Sequence, residues 1–257
     1  MSSKNKRRFT QIGLDRLIRL KWLEYIASQV LVGNDDETII STLQAHLMNS
    51  FKSRNTNVRG SLNKTITILT KVWMRVPSEL ESFKITGLEL LRHYSKKNQL
   101  IIHWGMVIAV YPFWAAVAAQ VGRLIRLQGS ASTMQVQRRL RELYGERETV
   151  SRRVRYVLRS YVDWGVLHET TIKGTYNAGL IFSVDDNRLN SWLIEASLHA
   201  RANGSASLKE LLDSPSLFPF RFQNVSIEDI ATSSPNLGIV KLGLDNDLII
   251  LQNKAIQ

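Results

Sequence analysis

A dense run of arginines between residues 123 and 159 is the feature of the sequence with the clearest chemistry. This run holds ten arginines against three acidic residues, all of them glutamates. A guanidinium group donates several hydrogen bonds from a planar fork that matches the oxygens of phosphate and carboxylate groups. The arginines are Arg123, Arg126, Arg138, Arg139, Arg141, Arg147, Arg152, Arg153, Arg155 and Arg159. The run therefore predicts binding to an anionic partner.

The end of the run has the periodicity of an amphipathic helix. At 100° per residue, Arg155 and Arg159 lie within about 60° of Arg152 around the helix axis. The apolar residues cluster on the opposite side: Val150, Val154, Val157, Leu158 and Tyr161. We therefore expect one face to pack on a core while the other presents guanidinium groups.

The preceding segment has the same design. Its apolar residues are predicted to face inward, namely Val136, Leu140, Leu143 and Tyr144, while Arg138 and Arg141 face outward. A short turn at residues 145–149 separates the two segments, so together they predict a helix-turn-helix. We expect residues 129–132 to form the loop before the first of these helices.

The residues after the second helix favour β-structure. Val166–Ile172 predicts one strand and Leu180–Val184 a second, with turn residues at Lys173-Gly174 and at 177–179 between them. Two helices followed by a hairpin predict a winged helix, with Lys173 near the tip of the wing. The competing interpretation is a solvated basic face on an ordinary helical domain. Charge of a single sign on both helices and the wing is harder to explain by solubility alone.

Composition limits the class of protein. The chain has 257 residues, 44% of them apolar, and 5 prolines, which predicts a folded globular protein. A net charge of +12 favours nucleic acid or an anionic membrane surface as partner. Residues 204–257 carry a net charge of −2, so the positive charge lies in the rest of the chain. The lack of cysteine excludes disulfides and thiolate chemistry and fits a cytoplasmic protein.

An uncharged run at residues 100–119 is long enough to cross a bilayer. Pro112 interrupts it, His103 is polar, and basic residues flank both ends, so the charge asymmetry of a membrane span is missing. We expect a buried helix ending near Val110 and a new helix with Pro112 in its first turn. No contact with a membrane is predicted.

These patterns predict a mainly α fold: a helical bundle with a winged helix-turn-helix unit and a small C-terminal α+β appendage. The expected parts are a basic arm at residues 1–10, a helical domain at 11–128, the winged-helix unit at 129–203 and the appendage at 204–257. The first long helix is predicted from Ile12 to Val32. In the appendage, Ser207 and Glu210 have capping-box spacing before a short helix, and residues 239–251 predict a β-hairpin.

The residues that catalysis or metal binding would need lack the required spacing. The five histidines show no metal-ligand pattern, and the sequence has neither a phosphate-cradling glycine loop nor a glycine-framed serine. The six tryptophans lie on apolar faces or at helix ends, where core packing is the default. Tyr156, between Arg155 and Arg159, is the one aromatic expected near a nucleic acid. We expect a non-enzymatic protein without metal or cofactor.

Three blocks of the sequence resemble the BrxA proteins of bacteriophage-exclusion (BREX) defence systems. They are the basic lead-in Ser53–Arg59, the apolar segment His103–Phe113 and the segment Arg152–Glu169. The resemblance covers about residues 30–185 and consists of patterns of residue type. It implies a small helical bacterial protein whose winged helix binds double-stranded DNA in phage defence, without catalysis. The chain beyond about Leu198 has no counterpart in this pattern.

The predicted interface with double-stranded DNA has three parts. We expect Arg152, Arg155 and Arg159, with Arg153, to face the major groove. Phosphate contacts are expected from Arg138 and Arg141, and flanking contacts from Lys173 and the arm at residues 4–8. A second basic set near the middle of the chain comprises Lys52, Arg54, Arg59 and Lys64. Many arginines with few amides predict weak sequence preference and steep salt dependence.

Two other classes of function fit the same charge pattern. One is a protein-interaction scaffold of a defence complex, whose arginine face meets acidic partner proteins. Its acidic tail would then dock on a neighbouring copy and form a homo-oligomer. The other is an RNA-binding regulator built on a helical bundle.

Overall fold

A computed structural model describes residues 8–51, 58–241 and 247–252. Within these ranges the chain is mainly helical, with three small sheets. The α-helices are α1 Leu20–Val32, α2 Asp36–Met48, α3 Val58–Trp73, α4 Glu81–His93, α5 Lys96–Val110, α6 Pro112–Gln128, α7 Thr133–Tyr144, α8 Glu148–Asp163, α9 Asn187–His199, α10 Leu208–Leu212 and α11 Ile227–Ser233. The strands are β1 Ser130–Ser132, β2 Leu167–Glu169, β3 Thr175–Ala178, β4 Phe182–Val184, β5 Ser205–Ser207, β6 Phe220–Phe222, β7 Leu237–Lys241 and β8 Asp247–Leu251.

The first long helix is shorter than the sequence predicts. Helix α1 begins at Leu20, whereas the apolar spacing predicted a helix from Ile12, and that prediction was wrong. Gly13 and Leu14 have φ angles of 50° and 48°, which break helical geometry. The backbone N–H of Ile18 donates to Ser160 Oγ on α8 at 2.9 Å. The segment before α1 therefore lies against α8 and makes contacts that a helix would not allow.

The uncharged run at residues 100–119 breaks where the sequence predicts. Helix α5 ends at Val110 and α6 begins at Pro112, which has no N–H to donate to a continuing helix. The axes of the two helices differ by 115°. Among the described residues, no single helix is long and apolar enough to cross a membrane. Helices α5 and α6 have the required length and composition only when they are counted together, across their bend.

The tryptophans pack in the core, as predicted. All six are at most 4% exposed: Trp22, Trp73, Trp104, Trp114, Trp164 and Trp192. The ring centroid of Trp104 on α5 lies 5.4 Å from that of Trp114 on α6 and 4.9 Å from that of Tyr161 on α8. Such aromatic contacts stabilise both by burial and by ring geometry. Helix α8 is thus anchored at the centre of the protein.

The sheet that follows α6 differs from the predicted hairpin. Strand β3 pairs antiparallel with β2 on one side and with β1 on the other, which gives the order β1-β3-β2. Residues 130–132 were predicted as loop, and Asn177-Ala178 as turn, and both predictions were wrong. The second predicted strand at Leu180–Val184 does not join this sheet, because its residues 182–184 form β4 and pair in parallel with β6.

The described part of the C-terminal region has a small core of its own. Ile194 and Leu198 of α9 pack with five residues from beyond position 204, which are Ala206, Leu211, Ile230, Leu237 and Ile249. Strands β7 and β8 pair antiparallel, as predicted, and β5 pairs with β8 on its other side. Ser207 Oγ accepts from the N–H of Glu210 and so caps α10, which confirms the predicted helix start.

Candidate nucleic-acid interface

Helix α8 has the two faces that its sequence predicts. The five predicted apolar residues, Val150, Val154, Val157, Leu158 and Tyr161, are all buried. On the other side Arg152, Arg155 and Arg159 are exposed. Because the buried face packs on α6 and α7, α8 presents its arginines to solvent in one fixed orientation.

Most of the charge on this face is not neutralised within the protein. Among the described residues, no carboxylate lies within 4.0 Å of Arg155 or Arg159. Arg152 is 4.0 Å from the carboxylate of Glu148, which is itself highly exposed. An ion pair of that length in water is weak and is readily exchanged for another anion. All three guanidinium groups are therefore available to an anionic ligand.

Helix α7 follows its prediction in part. Val136 and Leu140 are buried, and Tyr144 packs edge-on against Phe113. Leu143 was predicted to face inward and is 65% exposed, so that prediction was wrong. Helix α7 packs mainly on α8, and Val136 and Leu140 are its buried residues.

The two predicted phosphate contacts on α7 have different surroundings. Arg138 is exposed and has no carboxylate within 4.0 Å among the described residues. Arg141 is half-buried, and its Nε lies 3.2 Å from Glu146 in the turn between the helices. A phosphate would meet Arg138 without competition, whereas Arg141 has a carboxylate partner already.

Local contacts hold the two arginine-bearing helices in register. Ser132 and Gln135 form a reciprocal capping box at the start of α7. Gln137 Nε2 donates to the carbonyl of Ser151 at 2.8 Å and so joins α7 to α8. The spacing of Arg138 from Arg152 is therefore set by secondary structure and by a direct hydrogen bond between the helices.

Lys173 lies in the turn between β2 and β3 and is exposed, as the sequence predicts. The turn is closed by Thr170 N–H donating to the carbonyl of Thr175 at 3.0 Å. Next to the lysine, the carbonyl of Gly174 accepts from the N–H of Thr133, the first residue of α7, at 2.7 Å. The tip of the hairpin is thus fastened to the helix pair.

Arg8 does not belong to a solvent-facing arm. Its guanidinium donates to the carbonyls of Ala109 and His199, and its Nε lies 3.6 Å from Glu79. Burial lowers the pKa of Arg8, and the nearby carboxylate acts in the opposite direction. The side chain of Arg8 is thus largely buried, and both of its terminal nitrogens already donate to backbone carbonyls.

Part of the second basic set falls outside the described residues. These are Lys52 and Arg54, together with the side chain of Arg59 and the rest of the predicted arm at residues 4–7. Lys64 is described: it is exposed on α3, and its Nζ lies 3.8 Å from Asp15.

A cleft brings together residues that the sequence does not connect. Lys64, Arg16 and Arg19 line it from the N-terminal side, and Arg152 and Arg153 line it from α8. Tyr156, the aromatic expected near nucleic acid, also lines this cleft. The contribution of Arg16 and Arg19 was missed, since nothing in the local sequence pairs them with residues more than a hundred positions away.

His103 has a structural role in the core. His103 is fully buried, and its Nδ1 accepts a hydrogen bond from Trp73 Nε1 at 3.1 Å. Burial lowers the pKa of His103 to about 3, so this imidazole is neutral at physiological pH. Within the described ranges, no three histidine or carboxylate side chains come together as a metal site would require.

The two adjacent aspartates at positions 185 and 186 have a local role. Asp186 caps α9 by accepting from the N–H of Leu189 at 3.0 Å and also accepts from the hydroxyl of Tyr94 at 2.8 Å. Burial first, and then the Asp186 carboxylate, raise the pKa of Tyr94 to about 12. Helix capping accounts for Asp186 without a metal ion.

The chain matches no protein-family model, no curated protein and no solved structure.

Proposed function

We propose that this protein binds double-stranded DNA without catalysing a reaction, and that α8 is the element that docks in the major groove. The observation that carries the proposal is the amphipathic α8, with a fully buried apolar face opposite Arg152, Arg155 and Arg159. A helix whose back is fixed in a core and whose front is cationic can enter a groove as a rigid body.

The surrounding topology supports a winged helix as the docking unit. The chain order is helix, strand, two helices and then two strands, and the sheet order is β1-β3-β2. In this arrangement α7 and α8 are the helix-turn-helix pair, and the turn that carries Lys173 is the wing. Lys173 would then reach the backbone beside the groove occupied by α8.

The dimensions of α8 agree with the proposed docking. Arg152 and Arg159 are seven residues apart, which corresponds to about 10 Å along a helix axis. The major groove is about 12 Å wide and admits a helix, so guanidinium groups spaced in this way would face successive parts of the groove and its borders. Phosphate contacts should dominate, since the exposed face offers arginines and few amides for reading bases.

The biological setting is proposed from the sequence resemblance. The three blocks that resemble BrxA proteins favour a role in bacterial phage defence, in the cytoplasm and alongside other proteins of such a system. One of these blocks includes α8 from Arg152 to its end and the strand β2, which are parts of the proposed docking unit.

Competition between nucleic acids tests the proposed function. The protein is first incubated with labelled random duplex DNA. Unlabelled duplex DNA, single-stranded DNA or structured RNA is then added as competitor at one salt concentration. We expect duplex DNA to compete best and different duplex sequences to compete about equally. Preferential displacement by RNA would instead favour the RNA-binding regulator. No binding to any nucleic acid, with co-purification of an acidic partner, would favour the scaffold.

A further inference from the structure

A cationic cleft separates the N-terminal helices from the first turns of α8. Its volume is about 660 Å³. It is lined by three stretches of the N-terminal region, within residues 15–22, 50–51 and 61–65, and by residues 149–156. The cleft is therefore a place where the helical body and the proposed DNA-docking helix meet.

The charge of the cleft is strongly unbalanced. One carboxylate, that of Asp15, lines it together with five cationic side chains, which are Arg16, Arg19, Lys64, Arg152 and Arg153. Outside the lining, Asp163 pairs with Arg19 at 2.9 Å and Glu148 lies 4.0 Å from Arg152. Asp15 lies 3.6 Å from Arg16 and 3.8 Å from Lys64, so one carboxylate is shared by two cations. Like charges gathered between low-dielectric walls repel each other and raise the local potential for an anion.

Three residues that line the cleft have a donor without an acceptor among the described residues. The Nε atoms of Arg16 and Arg153 and the Nε1 of Trp22 are shielded from solvent, and none of them makes a hydrogen bond within the described part of the chain. Buried polar atoms in folded proteins are nearly always hydrogen-bonded, and a donor without a partner lowers stability. Because these atoms have almost no exposed surface, a ligand with acceptor oxygens would bond to them only after the side chains turn towards the cleft.

The walls of the cleft combine aromatic rings with the N-terminal turn of α8. Trp22 stacks on Phe51 with ring centroids 5.8 Å apart, and Tyr156 lines the cleft from α8. Thr149 contributes from the first turn of α8, where the N-cap residue Arg147 provides no side-chain acceptor for the free N–H groups. The positive end of a helix dipole adds to the attraction for an anion.

We propose that this cleft is a phosphate-binding site and that, in the complex with duplex DNA, a backbone phosphate occupies it. Phosphate offers several charged oxygens in a small volume, which matches cations that converge from the segment before α1, from α3 and from α8. Arg152 belongs both to the exposed face of α8 and to the cleft, so the phosphate would come from the strand bordering the groove. The identity of this phosphate rests on the proposed function. The helical body then takes part in DNA binding together with the winged helix.

The test compares two variants with equal loss of charge. The cleft variant is Lys64→Ala with Arg153→Gln, and the control is Lys96→Ala with Lys97→Ala, which removes two exposed lysines that do not line the cleft. Circular dichroism first establishes that both are folded. Duplex affinity is then measured across a salt series, and pyrophosphate binding is measured separately by calorimetry in chloride buffer.

Loss of the contacts to the one cleft phosphate should reduce the log–log slope of the salt dependence by about 0.9 and the duplex affinity at 0.1 M salt by about 8-fold. The cleft variant should also lose the heat of pyrophosphate binding, while the control keeps it. If both variants bind duplex and pyrophosphate alike, the cleft proposal is overturned and the proposed function stands.

The proposed function can also fail while the cleft still binds phosphate. If the wild-type protein does not bind duplex, the proposed function fails, and with it the DNA backbone as the source of the phosphate. If pyrophosphate binding still releases heat with the wild-type and control proteins but not with the cleft variant, the cleft would be a site for a free phosphate compound. No heat with any variant would overturn the site itself.

Discussion

The hydroxyl of Tyr161 donates a hydrogen bond to the backbone carbonyl of Trp114, with 2.8 Å between the two oxygens. Both side chains are fully buried, and the bond joins α8 to α6 inside the core. Because Tyr161 lies on the face of α8 opposite the exposed arginines, this contact fixes the side of α8 that reaches solvent.

Replacement of Tyr161 by phenylalanine tests that anchor. The ring still fills its space, but the hydrogen bond is lost, so we expect a loss of about 1 kcal/mol in the free energy of unfolding. Urea unfolding followed by tryptophan fluorescence measures it as a lower midpoint with an unchanged slope. Tyr156→Phe, at a half-buried tyrosine on the same helix, is the control, and an equal loss in both variants would count against the anchor.

The triple variant Arg152→Ala, Arg155→Ala, Arg159→Ala tests the exposed face of α8. If each arginine makes one phosphate contact, duplex affinity at 0.1 M salt should fall by about 500-fold. Helical circular dichroism should stay unchanged, since all three side chains are exposed. The charge-matched control replaces Lys96, Lys97 and Lys209 by alanine and should retain most of its affinity. If duplex affinity falls equally in the two triple variants, binding would depend on net charge in general and not on the face of α8.

Lys173→Ala tests the contact proposed for the hairpin tip. Removal of one phosphate contact should lower duplex affinity about 8-fold at 0.1 M salt, by the same factor on every duplex sequence. Thr171→Ala, a change in the same exposed turn that removes no charge, is the control. A loss confined to certain sequences would show that Lys173 reads bases, contrary to the proposed backbone role.

Acid stability depends on His103. Its pKa is about 3 in the folded protein against 6.5 for the free side chain, so between these values the unfolded state binds the extra proton. Stability from this group is therefore present above pH 6.5 and is lost as the pH falls, by up to about 1.4 kcal/mol per pH unit. Chemical unfolding between pH 6 and pH 4 measures this slope. His103→Gln keeps a side-chain acceptor near Trp73 and should show a shallower slope, while equal slopes would assign the acid sensitivity to other groups.

Features set by neighbouring residues could be predicted from the sequence. The buried and exposed faces of α8 follow from its helical periodicity, and the break between α5 and α6 follows from the missing N–H of Pro112. The burial of the tryptophans follows from their apolar neighbours. In each case the cause lies within a few residues of the effect.

Features set by distant contacts could not be predicted in this way. Strand β1 has three residues, too few to show an alternating pattern, and it exists because β3 pairs with it. Helix α1 starts late because Ile18 is bound by Ser160, 142 positions away. The cleft that holds Arg16 and Arg153 has the same origin, since only the fold brings these residues together.

The salt dependence of duplex binding by the wild-type protein tests the central claim most directly. Four unpaired or weakly paired arginines on α7 and α8 are expected to contact phosphates: Arg138, Arg152, Arg155 and Arg159. With four contacts, affinity for random duplex should fall by about 150-fold between 50 and 200 mM salt, with a log–log slope of about −3.6 or steeper. An affinity that barely changes over that range, or no binding to duplex at 50 mM salt, would contradict the account.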